Sequence, residues 1–385
     1  MISSSSVQMR ILKLIAFITL GLAISRQVRA NSYDLYRADS FKGAFCSAIG
    51  GACAADNDGE NAFFQNPAAL EAGEAGFNFD GDFNSSGNVE PGMKGSNTVS
   101  ETTFMGGASW SGETWGIGIS VTGVKNTIGS NAGVSFQSDP ATAPISKTIR
   151  LSTSSTTVQL ALPIAFRLKP GFSLGVSLTG LFHSEGVRAE GYGSASNASL
   201  NPLPTLGLAV GGIYQINSYV RGGTWFHTSS NYYFHQTLGF GVLGTSYKYD
   251  EDLGLKQPWV LAHGIAYTPW QDKRTLFVEV DLIGSTDNGF QFTHDNFAGS
   301  LASKTLRPKG RSLALEPHLG WKSPWWDDSR ASVLLGCYYE AGRADGVNAR
   351  VHGTGGLAYK FPGIAELLAG VDVAHDFVQL LFTIR

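Results

Sequence analysis

The sequence of 385 residues is poor in charge and in cysteine, and it lacks long apolar segments beyond its first two dozen residues. Charged residues make up 15% of the chain and leave a net charge of −3, so no basic surface indicates a nucleic acid partner. No segment after Ile24 can form a transmembrane helix, which needs about 20 apolar residues. If the chain enters a membrane, it must do so as a closed β-barrel, because lipid cannot pair free backbone groups. The soluble alternative is an exported β-sandwich array.

The first thirty residues have the order of a secretory signal peptide. Arg10 and Lys13 precede an apolar segment from Leu14 to Ile24, and Val28-Arg29-Ala30 has the small-residue pattern of a cleavage site. The apolar segment is shorter than the roughly 20 residues of a spanning helix. We therefore predict that residues 1–30 are a signal peptide and that the mature chain is exported.

Apolar residues alternate with small or polar ones through much of the chain. From Trp115 to Thr122, bulky apolar residues occupy every second position, with glycine, serine and threonine between them. The pattern recurs at 156–167, 172–179 and 276–283. A β-sandwich also has a period of two, but its solvent face would carry more lysine and glutamate. A second face of small residues with few charges is typical of the lumen side of an outer-membrane strand.

The number and spacing of these segments predict an all-β fold, a 14-stranded antiparallel transmembrane β-barrel. Between residues 75 and 385, fourteen segments are joined by connections that are short and long in turn. The long connections are 84–100, 124–154, 184–204, 228–257 and 286–310. Outer-membrane barrels have an even strand number, short periplasmic turns and long outer loops, so we predict that these five segments lie outside the cell.

The segment before the first strand, Gly43 to Leu70, is irregular and rich in glycine and alanine. Within it, Pro67 restricts its own φ and biases Asn66 away from helix, and the Asn66 amide can pair with backbone groups in a lumen. We predict that residues 31–74 form a hatch, or plug, inside the barrel of residues 75–385. Its candidate functional residues are Asn66, Pro67 and Ala68.

Two of the three cysteines lie in this hatch. Cys46 and Cys53 are seven residues apart, and an exported chain meets an oxidising compartment, so we predict a disulfide between them. The third, Cys337, falls on the predicted lipid face and is expected to act as an apolar residue.

A set of charged and imidazole side chains is predicted to face the lumen. These groups either tie the hatch to the wall or line a polar path, and both alternatives remain open at this stage. The histidines His263, His318, His352 and His375 show no close-spaced ligand pattern, so we predict no metal site and place them in the lumen. The predicted lumen set is Arg167, Arg221, Glu279, Asp281, Glu316, His318, Glu340, His352 and Asp372.

Motifs for catalysis and for calcium binding are incomplete. Residues 171–175 match G-x-S-x-G, but they lie in an alternating strand, whereas a nucleophile elbow needs a strand-to-helix turn. Residues 56–60 resemble a calcium loop without its later bidentate glutamate. We therefore predict no catalytic residue, no cofactor and no enzymatic activity; an outer-membrane lipid hydrolase is disfavoured for lack of a Ser-His-acid set.

Three stretches resemble the FadL/TodX-type outer-membrane transporters of long-chain fatty acids and other hydrophobic compounds. They are Gly50–Ala52 with Ala54–Asp56 before Asn66–Leu70, Pro204–Gly207 with Gly211–Tyr214 and Arg221–Gly223, and Pro258–Val260 followed by Phe277–Asp281. The resemblance implies fourteen strands, a hatch in the lumen, and hydrophobic ligands captured between long outer loops.

In corresponding order, the ligand-binding loops here are 184–204 and 228–257. The second is unusually apolar, and an exposed apolar patch often marks a binding site. The alternative is that 232–247 extends the neighbouring strands above the bilayer. The candidate ligand-binding residues are Tyr232, Tyr233, Phe234, Leu238 and Phe240.

The sequence thus predicts uptake of long-chain fatty acids or other hydrophobic compounds through a plugged, multi-pass β-barrel in the outer membrane of a Gram-negative bacterium. The expected partners are outer-membrane lipids, a hydrophobic small-molecule ligand and the barrel-assembly machinery, with no nucleic acid. The alternative function is an outer-membrane barrel that acts as a secretion or surface-interaction partner.

Overall fold

The computed structural model describes sixteen stretches of the chain, and the predicted signal peptide, residues 1–30, lies outside them. They are residues 42–57, 61–72, 76–88, 97–136, 145–190, 199–200, 205–242, 245–269, 274–285, 290–295, 304–306, 310–325, 328–343, 349–362, 365–375 and 377–384.

Within the described residues, three short helical elements precede nineteen strands. The helices are α1 (Ala44–Ala48), α2 (Asn61–Phe64) and a 3₁₀ helix (Pro67–Ala72). The strands are β1 (Gly76–Asn88), β2 (Asn97–Ser111), β3 (Trp115–Phe136), β4 (Ile145–Lys169), β5 (Phe172–Glu190), β6 (Ser199–Leu200), β7 (Thr205–Gln215), β8 (Val220–His227), β9 (Ser230–Val242), β10 (Thr245–Gln257), β11 (Val260–Tyr267), β12 (Thr275–Ile283), β13 (Phe290–Asp295), β14 (Lys304–Leu306), β15 (Ala314–Trp325), β16 (Asp328–Glu340), β17 (Arg350–Phe361), β18 (Ala365–Ala374) and β19 (Phe377–Ile384). Among the described residues, no helix has the length and the apolar character needed to cross a bilayer.

Fourteen of these strands form one antiparallel ring. In chain order they are β1 to β5, β7, β8, β11, β12 and β15 to β19, and each pairs with the strands before and after it in that order. The first and last strands close the ring, with Phe79 opposite Ile384 and Asn84 opposite Gln379. The 14-stranded antiparallel barrel predicted from the sequence is confirmed. We call one end of the barrel the short-turn end and the opposite end the long-loop end. The connections at the short-turn end are 112–114, 170–171, 216–219, 268–274, 326–327 and 362–364.

The ring strands have an apolar outer face and a small or polar inner face. On β3, Ile117 and Ile119 are 42% and 46% exposed, whereas Ser120 and Thr122 are each 1% exposed. On β5, Leu174, Val176 and Leu178 point outward in the same way. A continuous outer band of aliphatic and aromatic side chains suits lipid rather than water.

His263 does not face the lumen as predicted. It lies between Ala262 and Gly264, which are buried on the inner face of β11, so the strict alternation of a strand turns the imidazole outward. There its Nδ1 lies 2.7 Å from the Thr224 hydroxyl of β8. Small residues take the inner positions of β11 because the hatch fills the space beside them, and this is the physical reason for the wrong prediction.

The predicted outer loop 228–257 is a β-hairpin. Strands β9 and β10 pair along their full length, from Val242 opposite Thr245 to Ser230 opposite Gln257. The hairpin continues the β8 and β11 pair with only two residues between the strands on each side, and β13 and β14 complete a separate four-stranded sheet. The hairpin therefore extends the neighbouring strands, which was the second alternative for this segment.

The core lies inside the ring, between the hatch and the wall. One cluster joins Phe45 and Ile49 of the hatch to Phe277 and Leu334 of the wall. A second joins Phe63 and Leu70 to wall side chains that include Met105 and Ile213. The hatch therefore gives the inner wall an apolar core that an empty barrel of this sequence would lack.

Candidate functional site

The first half of the hatch, residues 42–57, is a helix followed by a glycine turn that presses on the wall. Helix α1 ends because Gly50 and Gly51 adopt positive φ values of 70° and 74°, the conformation that glycine takes most readily at a helix end. A Cβ at Gly50 would lie 2.7 Å from the Leu319 carbonyl oxygen and 2.8 Å from the Cys337 nitrogen. Only glycine fits there, so the turn contacts the β15 and β16 backbones directly.

The turn is enclosed by the two hatch cysteines. Cys46 and Cys53 form a disulfide, and their side chains are 5% and 0% exposed. Cys337, by contrast, is a free and exposed thiol on the outer face. The crosslink holds the Gly50–Gly51 turn in the shape that docks on the wall.

We expect peptide mapping of the unreduced protein to show a Cys46–Cys53 crosslink and alkylation of Cys337 only. The Cys46→Ala/Cys53→Ala double variant should assemble as a barrel, but its hatch should be cleaved faster by added protease, because the crosslink restricts the open chain. The Cys337→Ala variant is the control and should behave as the parent. Alkylation of both hatch cysteines in the parent would contradict the bridge.

The next hatch residues, Ala54 to Asp56, are held by side chains of two wall strands, β8 and β12. The backbone nitrogen of Ala54 donates to Glu279 Oε2 at 2.5 Å, and Arg221 Nε donates to the Ala55 carbonyl at 2.5 Å. The Arg221 guanidinium also lies 3.7 Å from the Asp56 carboxylate. Two residues predicted for the lumen thus bind backbone groups of consecutive hatch residues, Glu279 as a hydrogen-bond acceptor and Arg221 as a donor.

The second half of the hatch is organised by Asn66. Its Oδ1 accepts a hydrogen bond from the Ala68 nitrogen at 3.1 Å, which makes Asn66 the N-cap of the 3₁₀ helix that Pro67 begins. Its Nδ2 donates to the Ala54 carbonyl at 2.7 Å and to the Gly212 carbonyl of β7 at 3.3 Å. One fully buried amide therefore links the two halves of the hatch to each other and to the wall.

Replacing Asn66 by alanine is expected to loosen the hatch while the barrel still assembles. The substitution leaves buried backbone groups unpaired, which costs about 1–3 kcal/mol. Hydrogen exchange measured by mass spectrometry should show faster exchange of the hatch amides, with the wall unchanged. The matched control is Asn217→Ala, because Asn217 Oδ1 also accepts backbone hydrogen bonds, from Tyr219 and Val220, but in an exposed turn. Equal hatch protection in both variants would refute the role of Asn66.

The wall carries glycine where the hatch backbone approaches most closely. A Cβ at Gly175 would overlap Pro67 and Ala68, one at Gly211 would overlap the Asn66 amide, and one at Gly223 would overlap the Ala54 carbonyl. These positions lie on β5, β7 and β8, so three neighbouring strands offer a smooth surface to the hatch.

A second group of lumen residues ties the Gly50 turn to β12 and β15. His318 Nδ1 lies 2.6 Å from the Gly50 carbonyl oxygen, and its Nε2 lies 3.3 Å from Asp281 Oδ2. Lys42 at the start of the described hatch is 3.8 Å from the same carboxylate. Nearby, Thr354 Oγ1 donates to the Ala48 carbonyl at 2.9 Å.

Towards the long-loop end, the remaining lumen residues pair with one another. His352 lies 2.8 Å from Asp372 and 3.0 Å from Glu340 through its two ring nitrogens, and Tyr338 donates to Asp372 at 2.8 Å. Glu340 also accepts from Arg350 at 2.8 Å. The carboxylates are therefore matched by cations or hydrogen-bond donors within the wall.

Glu316 belongs to a separate pair at the same end. It is fully buried and accepts from the Arg343 guanidinium at 3.0 Å and from the Ala341 nitrogen at 3.1 Å. Arg167 differs from the others, because its side chain is exposed at the short-turn end of β4. The structure thus brings Arg221, Glu279, Asp281 and His318 to the hatch, and Glu316, Glu340, His352 and Asp372 into wall pairs.

Several partners of these residues were not predicted from the sequence. Three of them lie two residues from a side chain that was predicted to face inward, so the alternation could have found them: Tyr338, Arg350 and Thr354. The other two are Lys42 and Arg343. The candidate ligand-binding residues of 232–240 lie in β9, on a sheet separate from that of the ring. Within the described residues, no group of three or more His, Cys, Asp or Glu side chains is arranged to hold a metal ion.

Comparison with known proteins finds similarity at the level of structure. No protein-family model matches the sequence, and no curated protein matches it. The structure is similar to the toluene transporter TodX of Pseudomonas putida, with a TM-score of 0.62 and 12% identity over 89% of this chain and 96% of that one. It is also similar to a FadL homologue from Pseudomonas aeruginosa, with a TM-score of 0.61 and 13% identity over 89% and 97% of the two chains.

A third similar structure is the toluene transporter TbuX of Ralstonia pickettii, with a TM-score of 0.58 and 15% identity over 90% of this chain and 97% of that one. The matches span nearly the whole of the compared chains, so the likeness concerns the complete barrel rather than a few strands. The chain therefore has the fold of the FadL/TodX-type transporters of hydrophobic compounds.

Proposed function

We propose that this chain takes up long-chain fatty acids or other hydrophobic compounds across the outer membrane of a Gram-negative bacterium. The observation that carries the proposal is a closed ring with an apolar outer band and a lumen occupied by a docked hatch. In this function the barrel is embedded among outer-membrane lipids, the barrel-assembly machinery inserts it, and its ligand is a hydrophobic small molecule.

The hatch makes the barrel selective, because it closes the lumen to water and ions. The outer leaflet resists apolar solutes, so such compounds need a protein route. An unplugged lumen with the inner face described above, rich in Gly, Ser, Thr and charges, would instead conduct water and ions. A hatch held by Asn66, Arg221 and Glu279 prevents this leak, and its displacement would open the route to the compound.

The similar structures support the class of compound. Two of them are described as toluene transporters and one as a FadL homologue, and all three span nearly the full barrel. We extend this class to the present chain as an inference from fold and from the docked hatch. No chemical step is part of the function: Ser173, the serine of the G-x-S-x-G segment, lies within β5 and not at a strand-to-helix turn.

The test is uptake by cells that lack the gene and are complemented with the full-length protein. We expect a labelled long-chain fatty acid or labelled toluene to accumulate faster in complemented cells, and a small hydrophilic solute to accumulate at the same rate in both. Direction is tested by loading cells first and measuring efflux. If neither apolar probe enters faster than in cells without the protein, the transport proposal is wrong.

The second candidate function is a secretion or surface-interaction partner. The observation in its favour is the four-stranded sheet of β9, β10, β13 and β14, which is separate from the sheet of the ring and whose edge strands among the described residues are β9 and β14. An exposed strand edge can pair with another protein. Removal of residues 230–257 distinguishes the two functions. If the variant without residues 230–257 takes up the apolar probes as fast as the full-length protein but no longer binds a protein partner that the full-length protein binds, the second function is favoured for the hairpin.

A further inference from the structure

Two buried carboxyl groups lie side by side against the hatch, and we call them the carboxyl pair. Glu279 and Asp281 occupy neighbouring inward positions of β12, at 1% and 3% exposure, and their carboxyl groups are within hydrogen-bonding reach of each other. Among the described residues, no donor pairs with Glu279 Oε1 or with Asp281 Oδ1. Buried polar atoms are almost always hydrogen-bonded. Ionised carboxyl oxygens only accept, but a proton on one of the two makes it a donor to the other.

The second oxygen of each carboxyl group is connected to the hatch. Glu279 Oε2 accepts a hydrogen bond from the Ala54 nitrogen at 2.5 Å. Asp281 Oδ2 lies 3.3 Å from His318 Nε2, and the other ring nitrogen of His318 lies 2.6 Å from the Gly50 carbonyl oxygen. The carboxyl pair therefore acts on both ends of the hatch turn, on Ala54 directly and on Gly50 through the imidazole.

The described cations near the carboxyl pair do not match both of its charges. The titratable and charged side chains that face this region come from the hatch, β8, β15 and β16, and they are Lys42, Asp56, Arg221, Glu316, His318, Tyr338 and, bound to Glu316, Arg343. The described inward residues of β11 are uncharged. Arg221 is paired with Asp56, and Arg343 is paired with Glu316. One lysine, Lys42, therefore faces two carboxyl groups.

The hatch itself covers the carboxyl pair. A Cβ at Gly264 would lie 3.2 Å from Ala54 Cβ and 3.3 Å from Glu279 Oε2, and a Cβ at Gly51 would lie 3.0 Å from His318 Nδ1. With the hatch displaced, lumen water would reach both carboxyl groups, and each would be ionised at neutral pH as carboxyl groups in water are. With the hatch docked, two ionised groups would lie side by side without water, which is costly.

We propose that Glu279 and Asp281 share one buried proton while the hatch is docked, and that loss of this proton releases the hatch, so that the barrel opens more readily as the pH rises. The proton lies between Glu279 Oε1 and Asp281 Oδ1 and needs no cavity, while Ala54 keeps its bond to Oε2 in either state. Because docking takes up a proton, the docked fraction falls with rising pH. This inference adds regulation to the proposed transport function and rests on it only for what the open barrel carries.

The test is the pH dependence of conductance of the full-length protein in planar bilayers. Between about pH 5 and about pH 9, a range above the ordinary titration of carboxyl groups in water, we expect the fraction of time spent open to rise with pH. Release of one proton changes the ratio of open to closed time by at most about tenfold for each pH unit. A parent protein whose open time is the same at both ends of this range would overturn the inference.

The Glu279→Gln variant locates the proton. A glutamine amide is uncharged, donates to Asp281 through its nitrogen and accepts from Ala54 through its oxygen, so it copies the protonated glutamate at nearly constant shape. We expect this variant to stay closed over the whole pH range. The matched control is Glu113→Gln, the same substitution on an exposed side chain of the short turn 112–114, and it should keep the pH dependence of the parent.

Infrared spectroscopy detects the proton independently of conductance. A protonated carboxyl group has a carbonyl stretch that ionised carboxylates lack, so at neutral pH the parent and Glu113→Gln should show a band that Glu279→Gln lacks. Heat-modifiable migration checks that all three proteins are folded barrels. Should Glu279→Gln not assemble, the parent alone decides: the band and the closed fraction should be lost over the same pH range, and loss over separate ranges would overturn the inference.

The outcomes separate this inference from the proposed function. If conductance follows pH as expected but cells take up no apolar compound, the shared proton stands and the transport function falls. If cells take up the compound and Glu279→Gln keeps the pH dependence of the parent, the proton belongs to another group, such as His318. The inference is then wrong while transport stands.

Discussion

Deletion of residues 43–70 is expected to convert a plugged, poorly conducting barrel into an open, porin-like channel. The ring closes through strand pairing alone, from β1 to β19, so the wall does not need the hatch for its hydrogen bonds. Without the hatch, the inner face of Gly, Ser, Thr and charged residues would be wetted along its length. Single-channel recording in planar bilayers should show a steady, large conductance that the parent protein lacks.

The control for this deletion is the Asn66→Ala variant, which keeps the hatch and is expected to give only brief openings. Heat-modifiable migration on gels checks that both proteins are folded barrels. Folded barrels whose conductance is the same with and without residues 43–70 would show that the hatch does not block the lumen, and the transport proposal would lose its main support.

The second large effect is expected from Gly223→Ala. The added Cβ would overlap the Ala54 carbonyl and the Ala55 Cα. Both are backbone atoms held by Glu279 and Arg221, so they cannot rotate away as a side chain end could. We expect a loss of about 1–3 kcal/mol in stability, as in other overpacked cores, together with a displaced hatch and raised conductance.

Gly106→Ala is the matched control for Gly223→Ala. A Cβ at Gly106 on β2 meets nothing within 4 Å, so the variant should unfold at the parent temperature or slightly above it, because alanine has less freedom to lose than glycine. Thermal unfolding and conductance are measured on the same preparations. If the two variants have the same unfolding temperature and the same conductance, the hatch does not pack against Gly223 of β8.

Much of the wall was predictable from the sequence because its signal is local. The alternation from Trp115 to Thr122 assigns each side chain to a face, and the structure places the isoleucines outside and the serine and threonine inside. The fourteen strands follow from counting such segments. The hairpin of β9 and β10 was left open between a loop and an extension, because an apolar segment beyond the bilayer suits both.

From the sequence, the residues of the site were predicted only to face inward. An alternation with a period of two shows on which face of the strand a side chain lies, but not which group it contacts. Glu279 was expected to face inward, but its partner Ala54 is 225 positions away in the chain. His263 was placed on the wrong face, because it was assigned by the polarity of its imidazole and not by its position in the alternation of β11.

The sequence by itself determined the barrel, its strand number and the two faces of clearly alternating strands such as β3, β5 and β12, because these depend on periodicity along the chain. Only the tertiary structure decided which glycines touch the hatch. Gly207 and Gly211 both lie on the inner face of β7, yet only a Cβ at Gly211 would overlap the hatch, at the Asn66 amide. The chemistry of Asn66-Pro67-Ala68 indicated that the Asn66 amide could pair with backbone groups inside the lumen. That the same amide also joins Ala54 to Gly212 follows from the folded ring, which brings distant strands around one buried side chain.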